Sequence, residues 1–354
     1  MNMQELTGIQ VPVIDEAGMT RASERIDHLL MPRHALGKLL DLGRKVAGIT
    51  GYDRMDLGRK MVVVMAGDHG VTEEGVSAYP SEVTAQMVRG FAAGVAGINV
   101  LCRHSRIDVR VVDMGVKGDL SDLVAKGVLV DAKVGPGTRN MRRAAAMTRT
   151  EAISCIERGA GIARGLAQEG VRMLGTGDMG IGNTTPSTAI ASVATGAPVA
   201  EIAGRGTGVD DDGLKRKIRV IEDSISLNRP SRSDPIGLLA GVGGFEIGGI
   251  AGLILGAAES RIPAVIDGVI STAGAMIAWL LEPRIADFIF AAHRSVEKAQ
   301  SSMLALMGLE PVLDLGMRLG EGTGCALAMP IIEAGAKVIR QMATFEEAGV
   351  SGEA

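Results

Sequence analysis

Aromatic side chains are nearly missing from this chain: 2% of 354 residues, one Trp, two Tyr and five Phe. Ring stacking on bases or sugars therefore cannot be the main recognition device. Aliphatic and small residues must fill the core. Cysteine is also scarce. Cys102, Cys155 and Cys325 are odd in number and far apart, with no CxxC or Cys/His spacing, so a reduced, cytoplasmic protein without a metal site is expected. Excess charge is absent as well: 37 basic against 41 acidic residues, net −4, which argues against nucleic acid as the main partner. The short cluster Arg139, Arg142 and Arg143 reads as a solvated face. Toward the C-terminal third, the longest uncharged apolar run, residues 268–281, is too short to span a membrane. Residues 1–10 lack the basic and apolar regions of a signal peptide.

Glycine, by contrast, is abundant, with 49 residues. Five clusters stand where strands should turn into helices: Gly67-Asp68-His69-Gly70, the run Gly175-Thr176-Gly177-Asp178-Met179-Gly180-Ile181-Gly182-Asn183-Thr184-Thr185, Gly204-Arg205-Gly206-Thr207-Gly208, Gly241-Val242-Gly243-Gly244, and Gly320-Glu321-Gly322-Thr323-Gly324. Glycine lets the backbone approach a ligand closely and turn its N–H groups toward phosphate. Together the clusters describe a cleft for a phosphorylated small molecule. Glu321, fixed between glycines, is a candidate base.

Hydrophobic spacing organises the rest. With 46% apolar residues, a sizeable core is within reach, in one large domain or two smaller ones. Residues 23–49 show helical spacing interrupted by Pro32, hence two helices. Residues 61–66 read as a strand, and Ser81 as the N-cap of an amphipathic helix with Val83, Met87, Val88 and Phe91 inward. Strands are expected at 107–112, 171–174, 264–266 and 285–290. Helices are expected at 149–167, 211–228, 245–258, 272–281, 295–308 and 326–343, and residues 117–147 look irregular. Apolar strands without a polar face, alternating with helices, argue for a parallel sheet covered on both sides. Ligands bind such sheets outside the carboxyl ends of the strands.

Three motifs admit more than one reading. Gly175-Thr176-Gly177-Asp178-Met179-Gly180 matches the dinucleotide fingerprint GxGxxG, but no strand ending in an acidic residue follows about twenty residues on. A plain turn and a phosphate loop are the alternatives, the latter favoured by Asn183-Thr184-Thr185, whose side chains can bond phosphate oxygens. Asp68-His69 is either an acid/base pair or a loop held by its histidine; no second His lies at metal-ligand spacing. Lys217 either reaches a phosphate or carboxylate, or shares a solvated face with Lys215 and Arg216.

The motifs taken in order resemble the nicotinate-nucleotide:dimethylbenzimidazole phosphoribosyltransferases. The resemblance is carried by Ala66-Gly67-Asp68-His69-Gly70-Val71 with Glu74-Gly75-Val76-Ser77, by Val83-Thr84-Ala85-Gln86-Met87, and by Gly177 through Thr185. It continues in Gly204-Arg205-Gly206-Thr207-Gly208, Asp267-Gly268 and Leu315-Gly316-Met317-Arg318-Leu319-Gly320-Glu321-Gly322-Thr323-Gly324. It covers most of residues 20 to 345. It implies a Rossmann-like parallel sheet covered by helices, with a smaller helical domain from both chain ends: a large catalytic domain at 58–325, and 1–57 plus 326–354 in the small one. It implies a homodimer without cofactor or metal. The implied reaction moves phosphoribose from nicotinate mononucleotide to a benzimidazole nitrogen, releasing nicotinate with inversion at the anomeric carbon. Glu321 matches the family's catalytic glutamate. Asp178 stands where the family usually has Glu. Gly177, Gly180, Asn183, Thr184, Gly204, Arg205, Gly206, Thr207, Lys217, Gln86 and Met87 are expected to bind substrate. The segments Met31-Pro32-Arg33-His34-Ala35-Leu36-Gly37 and Ala292-His293-Arg294-Ser295-Val296-Glu297-Lys298-Ala299-Gln300 depart from the family's usual residues.

The chemistry is consistent with these residues. A pyridinium N-glycoside already carries a neutral leaving group, so one carboxylate with a raised pKa suffices to take the acceptor's proton. Tyr79, Met87 and Leu319 are candidate walls for an aromatic acceptor. A nicotinamide-dependent dehydrogenase and a non-catalytic nucleotide-binding subunit are the rival classes.

Overall fold

The computed structural model describes residues 8–351. Residues 1–7 and 352–354, which enter the signal-peptide reading and the small-domain assignment, lie outside them. Seven parallel strands form one sheet: β1 Arg59–Gly67, β2 Asp108–Gly115, β3 Val130–Asp131, β4 Val171–Met179, β5 Ala264–Ile266, β6 Ile289–His293 and β7 Pro311–Leu313. Their order is β3-β2-β1-β4-β5-β6-β7, so the winding direction reverses between β1 and β4. That is the crevice where an open parallel sheet binds its ligand. β1 is buried from Lys60 to Gly67, as its uninterrupted Met61–Ala66 apolar run requires of a strand covered on both faces.

Small residues do the packing that aromatics do elsewhere. The helices Arg149–Gln168 and Phe245–Glu259 cross so closely that a Cβ on Gly159 or Gly252 would overlap the facing backbone at Gly249 O or Ile156 O. The N-terminal and C-terminal helices meet. The helices Glu16–His28 and Lys38–Thr50 pack with the helix Thr323–Gln341. Leu30 N–H donates to Ala343 O at 2.9 Å and Phe345 N–H to His28 O at 3.1 Å. The last helix also lies against β4, β5 and β6. The boundary at residues 325 and 326 falls in its first turn.

Several local readings change. Gly175 to Met179 are not a loop but the second half of β4, with Val62, Val64 and Met65 of β1 opposite Gly175, Gly177 and Asp178. Five residues rich in glycine hide a strand because the signal lies in its partner, not in its own side chains. Residues 283–288 form a 3-10 helix, and the strand follows at Ile289–His293. Residues 117–147 contain the helix Ser121–Ala125 and β3. Ser81 caps nothing: the helix Val83–Ala92 has Glu82 at its N-cap without a side-chain bond, and Ser81 Oγ donates to Asp68 Oδ1 at 2.9 Å. The stretch Val83–Ser105 has the length and apolarity of a membrane span. It is folded as two helices, Val83–Ala92 and Gly97–Ser105.

Candidate active site

A cleft of about 500 Å³ opens at the carboxyl ends of β4, β5 and β6. Glu321, Asp178, Gly180, Asn183, Thr184, Gly206, Thr207, Tyr79, Met87 and Leu319 all line it. The five glycine clusters are separated by up to 250 residues in sequence, yet members of three of them meet here.

Glu321 sits in a backbone conformation that L-residues seldom adopt. Its φ is 64°, between Gly320 at 82° and Gly322 at 95°. A non-glycine residue there costs of order 1–3 kcal/mol and persists only where the surroundings impose it. Asp267, at the end of β5, imposes it. Its Oδ2 accepts from Gly322 N–H at 2.9 Å and its Oδ1 from Gly324 N–H at 2.7 Å. Gly177 completes the seat, because a Cβ there would overlap Glu321 O. The side chain is 6% exposed and its Oε2 accepts from Ile98 N–H at 3.2 Å, in the first turn of the helix Gly97–Ser105. Burial pushes its pKa above 4.5 against that hydrogen bond, and the charge of Asp267 adds to the rise.

Asp178 is the second buried carboxylate, one residue before the end of β4. Asn183 Nδ2 donates to its Oδ2 at 3.0 Å, while Oδ1 has no hydrogen-bond partner among the described residues. Burial, then Asp267 and Glu246, push its pKa well above 3.8; the Asn183 bond opposes them and Glu321 adds a little.

The third wall is the 204–208 loop. Gly206 N–H donates to Glu297 Oε1 at 3.0 Å, and Gly204 lies flat against the same carboxylate. Beneath the loop, Lys217 is wholly buried, which overturns the solvated-face reading. Its Nζ donates to Thr184 Oγ1 at 2.7 Å and to Gly204 O at 3.1 Å. Burial lowers its pKa to about 8, with Glu297 opposing the fall. Thr207 Oγ1 accepts from Ala78 N–H at 3.1 Å and lies 3.2 Å from Ser77 Oγ, tying the loop across the mouth.

Not every expected residue arrives. Gln86 is exposed and does not line the cleft, because Val83 and Met87 take the inward side of its helix. Gly177 lies beneath Glu321 rather than in the lining. Gly204 and Arg205 face an adjoining hollow, and the Arg205 guanidinium is tied to Asp211 and Val209 O. Asp68-His69 is not an acid/base pair facing ligand. Asp68 Oδ2 accepts from Lys117 N–H at 2.8 Å, and His69 Nε2 lies 2.7 Å from Glu246 Oε1, both of that pair buried. His69 therefore holds its loop to the helix Phe245–Glu259.

The sequence reading leaves out other contributors: His293, Ser295 and Glu297 line the cleft, and Asp267 anchors the Glu321 loop. His293 Nε2 lies 3.3 Å from Asp267 Oδ1. Burial opposes its charge, but Asp267 outweighs it and the pKa rises above 6.5. The lining is partly apolar, with Tyr79, Val83, Met87, Ile181, Ile270 and Leu319 among it. The arrangement can hold a flat apolar ring beside a raised-pKa carboxylate. With Gly175–Met179 paired into the sheet, the dinucleotide-turn reading falls, since those residues have no loop with which to wrap a pyrophosphate.

Known proteins are similar to this chain over nearly its whole length. A phosphoribosyltransferase family model matches residues 11–350. The nicotinate-nucleotide–dimethylbenzimidazole phosphoribosyltransferase of Geotalea uraniireducens is 52% identical over 351 residues, 99% of either chain. That of a Roseiflexus species is 50% identical over 352 residues, again 99% of each. The crystal structure of the Thermus thermophilus enzyme of the same name superimposes with a TM-score of 0.89 at 42% identity, covering 96% of this chain and 100% of the other.

Proposed function

From the premise that the chain belongs to the nicotinate-nucleotide–dimethylbenzimidazole phosphoribosyltransferase family, we infer that it transfers phosphoribose from nicotinate mononucleotide to 5,6-dimethylbenzimidazole. The products are α-ribazole 5′-phosphate and nicotinate, a step of cobalamin biosynthesis. The observation that carries the mechanism is Glu321, buried and held at positive φ by Asp267 in a cleft with a partly apolar lining.

The acceptor ring lies on the Tyr79, Met87 and Leu319 wall. One of its nitrogens attacks the anomeric carbon as the bond to the pyridinium nitrogen breaks. That electron pair returns to the nicotinate ring, which leaves neutral at nitrogen, so no general acid is required. The attacking ring becomes cationic unless it loses its N–H proton, and Glu321 takes it. A raised pKa suits this task, because a carboxylate that holds protons more tightly is the stronger base. Asp178, whose carboxyl lies against Gly320, has its neutral form favoured by burial and in that form can donate a hydrogen bond to a ribose oxygen. Asn183, Thr184 and the 204–208 loop take the ribose phosphate, with Lys217 stiffening that loop from below through Thr184 and Gly204.

The protein works as a homodimer in this reading. Val95, between the helices Val83–Ala92 and Gly97–Ser105, is 72% exposed and Val100, in the second of them, 52%, which leaves apolar surface for a second copy. The test is incubation of the pure protein with nicotinate mononucleotide and 5,6-dimethylbenzimidazole, with mass spectrometry of the products and sedimentation of the same sample. Absence of both nicotinate release and α-ribazole 5′-phosphate would remove the reading. A monomer in sedimentation would remove the dimer alone.

A further inference from the structure

Resting on that functional reading, we propose that the buried His69–Glu246 pair positions the Asp178 side of the cleft for the reaction, from behind the lining. Both residues stand outside the lining itself. His69 is 1% exposed and Glu246 fully buried, with Nε2 and Oε1 2.7 Å apart. The other carboxylate oxygen, Oε2, has no hydrogen-bond partner among the described residues. Replacing a buried ionisable pair by apolar side chains of similar volume is often neutral or stabilising, so packing alone does not call for one here. The surroundings are shaped to admit it. A Cβ on Gly67 would lie 3.0 Å from Oε2, and one on Gly244 would overlap both Oε2 and His69 Cε1.

The pair reaches the cleft through Gly180, which lines it two residues after Asp178. A Cβ on Gly180 would overlap Gly67 O and come within 3.1 Å of His69 Nε2, so this glycine rests on the imidazole. His69 O accepts from Thr72 Oγ1 at 2.8 Å, and the Thr72 methyl lies against Gly182. The 178–183 segment, with Asp178 and its donor Asn183, is therefore seated on His69 and on the residue that His69 holds. Charge acts along the same route. Burial leads in favouring the protonated form of Asp178, and the charges of Asp267, after β5, and of Glu246 follow; Asn183 opposes them and Glu321 adds a little. On the other side the rise at Glu321 comes from burial and Asp267. Glu246 also faces the Cys155 thiol of the helix Arg149–Gln168, which burial and then Glu246 push up.

A double-mutant cycle separates positioning from folding. Steady-state nicotinate release would be followed from pH 6 to pH 9 in wild type, Glu246→Gln, Asp178→Asn and the double variant. Gln keeps the length of Glu246 and can still bond His69, but brings no charge. Without that charge Asp178 loses its proton at lower pH, and with it the hydrogen bond to the ribose. The Glu246→Gln deficit in kcat is expected to grow with pH, reaching about 3- to 10-fold, the worth of one hydrogen bond. Asn has no such proton, so in the Asp178→Asn background the deficit should be flat with pH and within about twofold. His69→Gln leaves the place behind Gly180 underfilled. It should lower kcat about tenfold or more, as for a misplaced reacting group, and do so less in the Asp178→Asn background. If Glu246→Gln does not fold, the His69→Gln cycle decides. Deficits that are flat with pH and equal in both backgrounds would make the pair a fold element and overturn the proposal. So would full activity of both single variants, or failure of both to fold. Wild-type protein that releases no nicotinate would instead overturn the functional reading on which the proposal stands.

Discussion

The two acidic walls of the cleft hold carboxylates of opposite construction. Asp178 belongs to a rigid strand, with Met65 of β1 as its register partner, and makes one hydrogen bond. Glu321 belongs to a loop of three successive positive-φ residues that Asp267 clamps through two backbone N–H groups. Both pKa values rise, and in both burial is the leading cause. Only Glu321 has a backbone N–H at a helix start to stabilise its charged form. A carboxyl left with one amide donor in a dry strand end has its neutral form favoured by burial. A carboxylate given an N–H at a helix N-terminus keeps a usable charged form. In the proposed mechanism it is these supports, rather than residue type, that suit Asp178 to hydrogen bonding and Glu321 to taking a proton.

The sharpest way to break this comparison is to swap the two walls' chemistry. Glu321→Gln keeps the shape and cannot take the proton, so single-turnover nicotinate release with saturating base should fall by roughly 10²–10⁴. Asp178→Asn should slow it by no more than about tenfold, because the amide can still accept from Asn183 and donate to the ribose. Binding of nicotinate mononucleotide should change little in Glu321→Gln, because other elements hold the phosphate. A Glu321→Gln rate within twofold of wild type, with Asp178→Asn the slower variant, would exchange the roles.

The second effect tests whether the clamp makes Glu321 what it is. Asp267→Asn can accept at only one oxygen, so one of the two loop N–H groups loses its partner. A misplacement of about 1 Å can cost on the order of 10² in rate, and a fall of about 10- to 100-fold is expected. A change in pH profile distinguishes this from general loosening. Asp267 is one source of the upward shift of Glu321, so its neutralisation should move the acid limb of the rate profile to lower pH. A slower enzyme with an unmoved limb would make Asp267 a fold residue only.

The two walls were not equally legible in the sequence. The Glu321 loop announces itself, since a carboxylate between glycines has few structural uses and the motif around it is long. Its clamp does not: Asp267 lies 55 residues from Gly322, and nothing local says which backbone it will hold. On the other wall Asp178 was found but its setting was misread, because glycine-rich residues 175–179 carry no strand pattern of their own. Lys217 shows a signal that was there to use. With Gly213, Val220, Ile221 and Ser224, all buried, it falls on the inward face of the helix Asp211–Asn228, while Lys215 and Arg216 point outward. Gln86 fails for the same periodic reason, being one residue off the face that Val83 and Met87 share. His69 pairs with Glu246, 177 residues away, a contact that no spacing rule reaches.

The smallest effect is on stability, and it reads the charge state of the Asp178 wall directly. A carboxyl whose folded pKa is raised binds its proton more tightly in the folded chain than in the unfolded one, where the value is about 3.9. Between those two values the folded state holds more protons, so stability falls as pH rises through the window. Asn carries no such proton. Asp178→Asn should therefore match wild type near pH 4 and become the more stable of the two as pH rises, by about 2–4 °C in Tm for each 1 kcal/mol regained. Glu321→Gln should show the same sign with a smaller slope, because the Ile98 N–H favours the ionised form and part of that stabilisation is lost with the charge. Thermal melts of the three proteins at pH 4, 6 and 8 give the order. If the Asp178→Asn difference is flat with pH, or closes as pH rises, Asp178 is ionised and satisfied in the folded protein. The two carboxylates would then be alike, and the contrast between strand and loop would lose its chemical content.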